Sequence, residues 1–237
     1  MYGLFQCSTA FQISELLSHT TLDYICLEAE HGAVSLPLMH AQVAAIADRK
    51  PVIVRIASDD VSVIKPVLDL GVNGIMVPDV RTADAAREIV AQTRFAPEGK
   101  RGIGGSVRAS RYGLDKCYFP NGPAEPIVIV LQIESQEGLD NITQIAAVDG
   151  VDAVFIGPMD LSAQLGHRGK PEAPEVRKPI EEGLTKAKLA GAITGILCAP
   201  DKVDHWRALG VSLFLIGSDL GALVGSVTTM MNTANNG

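Results

Sequence analysis

Short apolar runs alternate with longer stretches of helical period along almost the whole chain. The runs are YGLFQC (2–7), YICLEA (24–29), VIVRI (52–56), GIMVPDV (74–80), IVIVLQIE (127–134), AVFIGP (153–158), TGILCA (194–199) and SLFLIG (212–217). Each is nearly continuous in apolar and β-branched residues, the pattern of parallel strands covered on both faces. Between them, segments such as PLMHAQVAAIADR, TADAAREIVAQTRF and EVRKPIEEGLTKAKLAGA repeat with helical spacing. Thr82 stands where a helix N-cap belongs, and Gly71, Gly150 and Gly210 stand where helices should stop. Eight strand–helix units in 237 residues predict an α/β fold, a closed (β/α)8 TIM barrel forming one domain over residues 1–237. An open, doubly wound sheet is the alternative, and the missing GxGxxG after the first strand counts against it.

Two irregularities interrupt this pattern. The stretch 96–126, with GKRGIGGSVRASRYG, is long for a connection, and such loops in compact domains are usually functional or mobile. The first strand begins almost at Met1, so a helix capping the barrel floor from the N-terminal side is expected to be missing or supplied by a partner.

Composition narrows the function classes. With 47% hydrophobic and 20% charged residues the chain can bury a large core. Its net charge of −7 (20 − 27) argues against nucleic acid or an anionic membrane as partner, since both require a basic face. No apolar run approaches the roughly 18 residues of a membrane helix, and no signal peptide is visible. Cys7, Cys26, Cys117 and Cys198 are scattered without metal-type spacing, as expected of free thiols in a reducing cytoplasm.

In a parallel barrel the chemistry sits at the C-terminal ends of the strands, so the runs that end in polar residues are the informative ones. Glu134 and Asp160 close the fifth and sixth runs. Two carboxylates at neighbouring strand ends either share a hard divalent cation or cap the helices that follow. Arg55, inside VIVRI, is either a fork for a substrate carboxylate or half of a structural ion pair. His31 follows two acids in EAEHG and is either a proton carrier or an ordinary histidine; Asp69 either orients it or is a solvated helix residue. The GIGG run (102–105) is a weak candidate for an anion cradle. None of the eight runs contains lysine, which disfavours an imine-forming aldolase and leaves metal stabilisation of an enolate as the natural alternative.

These residues resemble the HpcH/HpaI aldolases, the class II pyruvate aldolases, over about residues 3–230. The specific pieces are EHG (30–32), VRIASDD (54–60), LDLGVNGIMVPDV (68–80), RGIGGSVRASRYG (101–113), QIESQEGLDNI (132–142) and VDAVFIGPMDLSAQLG (151–166). The resemblance implies a divalent metal (Mg²⁺, Mn²⁺ or Co²⁺) on Glu134 and Asp160, and no organic cofactor. It implies that Arg55 holds the keto oxygen, that backbone around Gly157, Pro158, Met159 and Asp160 grips the carboxylate beside Gln132, and that His31 paired with Asp69 handles the proton through a water. The implied reaction is reversible cleavage of a 4-hydroxy-2-oxo acid to pyruvate, or an analogue such as hydroxypyruvate, and an aldehyde. A 2-oxo acid or acyl-thioester lyase or decarboxylase on the same barrel is the alternative, and a catalytically silent barrel is disfavoured by the presence of all four of His31, Arg55, Glu134 and Asp160. A homohexamer, a trimer of dimers with the last helix exchanged between subunits, is also implied. The aldehyde pocket is expected from the 96–126 loop, the helix after His31 and a neighbouring subunit, with Arg108 or Arg111 on the distal group. One departure stands out: Glu28 occupies the place where the family usually has Asp, in EAEH.

Overall fold

The computed structural model describes residues 1–123 and 125–236, so Ala124 within the 96–126 stretch and Gly237 at the end of the expected domain lie outside the described residues. Eight parallel strands close into a barrel in sequence order, each hydrogen-bonded to the next and β8 to β1. They are β1 (Tyr2–Gln6), β2 (Tyr24–Glu28), β3 (Val52–Arg55), β4 (Gly74–Val77), β5 (Val128–Ile133), β6 (Ala153–Ile156), β7 (Ile193–Leu197) and β8 (Leu213–Ser218). All eight fall within one residue of the apolar runs or inside them.

The helices are α1 (Phe11–Ser18), α2 (Leu36–Ile46), α3 (Val61–Asp69), α4 (Ala83–Thr93), α5 (Tyr118–Asn121), α6 (Gln136–Asp140), α7 (Ile142–Ala146), α8 (Pro158–Gln164), α9 (Pro174–Leu189), α10 (Val203–Ala208) and α11 (Asp219–Asn235). Thr82 caps α4, its hydroxyl accepting from the Ala85 amide. Gly71, Gly150 and Gly210 all take positive φ after helices, as their positions predicted. Among the described residues no helix is long and apolar enough to cross a membrane.

Side chains alternate across each strand, and this divides the core in two. One set packs outward against the helices, including Ile25, Leu27, Val54, Ile75, Leu131 and Ile156. The other fills the barrel: Phe5, Tyr24, Cys26, Ile53, Met76, Val130, Ala153, Phe155, Leu213 and Leu215. Tyr24 crosses the interior to donate its hydroxyl to the Phe214 carbonyl at 3.0 Å. Its ring occupies the space a side chain on Gly3 would need, since a Cβ there would lie 2.4 Å from it. The inward set matters most for function, because two residues further along each strand the same parity delivers side chains to the barrel mouth.

The 96–126 stretch runs elsewhere. It leaves the C-terminal end of α4 and enters β5, so it starts and ends at the opposite end of the barrel from the mouth. On the way it packs along α3 and reaches α2, where Tyr112 Oη lies 3.2 Å from His40 Nε2. Arg108 donates to the Leu70 carbonyl just past α3. Within one chain, neither the loop nor Arg108 and Arg111 borders the mouth, and the expectation that they line an aldehyde pocket there is corrected to that extent. The two hollows beneath the barrel, about 450 and 470 Å³, belong to this loop region rather than to the strand ends.

Candidate active site

Following the inward parity up the strands assembles the site. Cys26 leads to Glu28, Ile53 to Arg55, Val130 to Gln132 and Glu134, and Phe155 to Gly157. Glu28 and Arg55 are directly paired in the β2–β3 register. A cavity of about 320 Å³ opens there, lined by Phe5, His31, Arg55, Gln132, Phe155, Gly157, Pro158, Met159, Asp160 and Leu197. One side of it is polar and the floor is apolar.

Arg55 is held on several sides. Its Nε donates to Glu28 Oε2 at 2.6 Å and its Nη2 lies 2.5 Å from the same oxygen. Glu30 Oε2 is 3.3 Å from Nε, and the guanidinium stands 4.5 Å above the centre of the Phe5 ring. Burial disfavours the charge of Arg55, but the Glu28 carboxylate more than offsets it and raises the pKa. Both readings left open for this residue therefore meet: Arg55 is half of a buried ion pair and still borders the cavity.

Glu134 is buried, 6% exposed, and accepts a short hydrogen bond from the Gln132 side-chain amide. Burial, then the nearby charges of Glu30 and Asp160, push its pKa up to about 8. It does not cap α6; Ser135 does, accepting from the Gly138 amide. Asp160 lies in the first turn of α8, exposed to the cavity. Gly157 has no room for a side chain, since a Cβ would come within 2.4 Å of Glu134 Oε1 and 2.6 Å of Gln132 Nε2. Its amide is committed to the Ile133 carbonyl and Pro158 has none, so the first free backbone donors at this end are those of Met159 and Asp160.

Four carboxylates, Glu28, Glu30, Glu134 and Asp160, thus gather near one guanidinium. Among the described residues no three His, Cys, Asp or Glu side chains converge into a ready-made metal cage. The excess negative charge and the upward-driven Glu134 nevertheless fit a hard divalent cation held by two carboxylates, with substrate and water completing its shell.

His31 projects at the rim, 64% exposed, with Nε2 3.8 Å from Glu30 Oε2. Asp69 does not join it. Asp69 ends α3 at the floor end of the barrel, where it binds Arg101, so the pairing with His31 is not made within the chain. The carboxylate beside His31 is Glu30, to which the sequence pattern assigned no role. Phe5, Phe155 and Leu197 also escape a reading of charged strand ends; the inward parity of their strands is the signal that finds them.

The family model for HpcH/HpaI aldolase/citrate lyase matches residues 1–225. The chain is 40% identical over 219 residues to a 5-keto-4-deoxy-D-glucarate aldolase of Klebsiella pneumoniae, covering 91% of this chain and 85% of the relative. It is 37% identical over 226 residues to a hydroxypyruvate/pyruvate aldolase of Chromohalobacter salexigens, covering 94% and 88%. A crystal structure of an HpcH/HpaI aldolase/citrate lyase family protein from Burkholderia cenocepacia superimposes with a TM-score of 0.95 at 30% identity, covering 99% of this chain and 94% of that one.

Proposed function

The chain belongs to the HpcH/HpaI aldolase/citrate lyase family and is an aldolase, a carbon–carbon lyase; from that membership and the geometry of its mouth we propose that it cleaves and forms 4-hydroxy-2-oxo acids. Pyruvate or hydroxypyruvate is one partner and an aldehyde the other. The observation that carries this reading is the meeting of Arg55 and Gln132 with Asp160 in one cavity, with Glu134 immediately behind.

Glu134 and Asp160 would hold Mg²⁺, Mn²⁺ or Co²⁺, which when bound supplies Lewis-acid stabilisation of enolate charge. The remaining work falls to the chain. Gln132 and the free amides of Met159 and Asp160 bind the substrate carboxylate. The cavity-facing N–H groups of Arg55 bind the C2 oxygen and favour the negative charge that builds there during the reaction. In the cleavage direction His31, through a water, takes the proton of the C4 hydroxyl. The C4–O bond becomes a carbonyl, the C3–C4 bond breaks, and its electron pair passes into the C2–C3 enolate. Protonation at C3 then completes the 2-oxo acid. Glu30 Oε2 lies 3.8 Å from the His31 ring, and the apolar floor of Phe5, Phe155 and Leu197 limits water below the reacting carbons. The absence of lysine from all eight strands supports this route over an imine.

A homo-oligomer completes the reading. No residue of α11 is buried, and Leu220, Leu223, Val224, Val227, Met230 and Met231 leave an apolar stripe 48–66% exposed. A stripe of that kind calls for a partner surface, and exchange of α11 within a trimer of dimers would cover it. Contacts from the 101–113 loop to an aldehyde would then come from a neighbouring protomer. The four free cysteines suit the cytoplasm.

The test is pyruvate or hydroxypyruvate release from a panel of 4-hydroxy-2-oxo acids, with and without EDTA. Release that stops in EDTA and returns with Mn²⁺ is expected. Undiminished release in EDTA, or a covalent adduct trapped by borohydride, would overturn the proposal.

A further inference from the structure

Glu28 is enclosed at the end of β2, its side chain 3% exposed, and both of its oxygens are fully used. Oε2 takes Nε and Nη2 of Arg55, at 2.6 and 2.5 Å. Oε1 accepts the backbone amides of Glu30 at 2.8 Å and His31 at 2.9 Å. The turn it closes is tight enough that a Cβ on Gly32 would lie 2.4 Å from the Glu28 carbonyl oxygen. Glu28 therefore has no lone pair directed at the His31 ring and none directed at the cavity, which it does not line.

We propose that Glu28 is a positioning residue that sets two groups of the active site at once, the guanidinium of Arg55 and the turn that carries His31. This rests on the 2-oxo acid aldolase reading. One oxygen fixes the face that Arg55 turns to the cavity by occupying the opposite edge of its fork. The other oxygen fixes the departure of the chain from β2, and with it the distance from His31 to Arg55. The reach of glutamate is what permits both. Its Cα is level with that of Arg55 in the sheet, while the amides it binds lie two and three residues beyond. Aspartate, one methylene shorter, can serve the fork or the turn but not both in this geometry.

The experiment is a double-mutant cycle on the full-length protein with Glu28→Gln and Arg55→Lys, read as kcat/KM for 2-oxo acid release. It is paired with the rate at which phenylglyoxal modifies Arg55, followed by peptide mapping. In the Arg55 background Glu28→Gln is expected to lower kcat/KM roughly 100-fold, the scale of a small misplacement of a catalytic group. In the Arg55→Lys background the same change is expected to cost less than about threefold, because the fork it served is gone while the glutamine carbonyl oxygen still accepts the two amides of the turn. Modification of Arg55 should become at least about tenfold faster in Glu28→Gln, and in Glu28→Asp, which keeps the charge and stands in should the Gln variant fail to fold. Equal losses in the two backgrounds, or unchanged labelling of Arg55 in both variants, would overturn the proposal. If the unaltered protein releases no 2-oxo acid, the aldolase substrate reading has failed, and the labelling rates alone decide whether Glu28 positions Arg55.

Discussion

Asp69 Oδ1 lies 3.0 Å from Nη2 of Arg101, whose side chain is wholly enclosed. The same nitrogen reaches Tyr118 Oη at 3.2 Å, and the guanidinium stacks 4.7 Å over Phe95. Among the described residues Asp69 is the one carboxylate paired with this buried cation, so α3 and the 96–126 loop are joined through a charge that has no access to water. Asp69→Asn is expected to lower unfolding free energy by about 3 kcal/mol, the cost of leaving a buried charge uncompensated. Urea denaturation measures it; a loss below about 1 kcal/mol would mean that the loop is held by its aromatic contacts instead.

Glu134 gives a pH dependence with a definite sign. Its carboxyl titrates near 8 in the folded, metal-free protein, against 4.5 for an ordinary glutamate. The folded state therefore holds one more proton than the unfolded state between those values, and stability falls as pH rises through that window. Metal-free Glu134→Gln should remain folded and be less sensitive to pH between about 5 and 8 than the parent. Thermal melts at the two pH values check this, and equal pH slopes would argue against burial of a titrating Glu134.

The same proton must leave before a cation can bind. Mn²⁺ affinity is expected to rise about tenfold per pH unit up to roughly pH 8 and to level off above it. Titration calorimetry at several pH values would show the trend, with proton release visible through the buffer's ionisation heat. Glu134→Gln should abolish high-affinity binding and metal-dependent turnover together. Normal turnover in that variant would remove Glu134 from the ligand set.

Gly157→Ala tests how closely the mouth is packed. The added Cβ meets Glu134 Oε1 and Gln132 Nε2, so both side chains must shift. A folded protein with kcat/KM reduced by about 100-fold is expected from such a displacement. Full activity would show that the pair of side chains has slack.

Leu223→Asp with Val227→Asp places two charges on the exposed stripe of α11. If that stripe is the cover between protomers, light scattering should report smaller assemblies than for the unaltered protein. An unchanged mass would assign the stripe another role.

Strand positions were legible in the sequence because parallel barrel strands are buried on both faces, and short continuous apolar runs such as IVIVLQIE suit few elements besides these. Glu134, Arg55 and Gln132 were legible for a related reason: each interrupts a buried run at its end, where an unpaired polar group is costly. Asp69 was not. Its direction depends on α3 running antiparallel to the strands, which carries residue 69 to the floor end, and no local pattern distinguishes the two ends of a helix as near or far from a site. The course of the 96–126 loop was hidden for a similar reason, since Arg108 and Arg111 are as basic beside α3 as they would be beside a substrate. Glu28 was legible only as a departure, because its function depends on where two oxygens point rather than on which residue it is.

Asp219, at the start of α11, accepts from the backbone amides of Cys7 and Ser8 and from the Ser8 hydroxyl, joining residues some 210 positions apart. The β1–β8 ladder closes the barrel at the same place. During synthesis the first strand leaves the ribosome long before the eighth, so β1 waits with one edge open while the other strands are made. The clasp and the ladder can form only when translation is nearly finished. A nascent chain stalled before residue 213 would carry the arginine, the histidine and both proposed metal ligands, yet it would lack the seam that makes them one site.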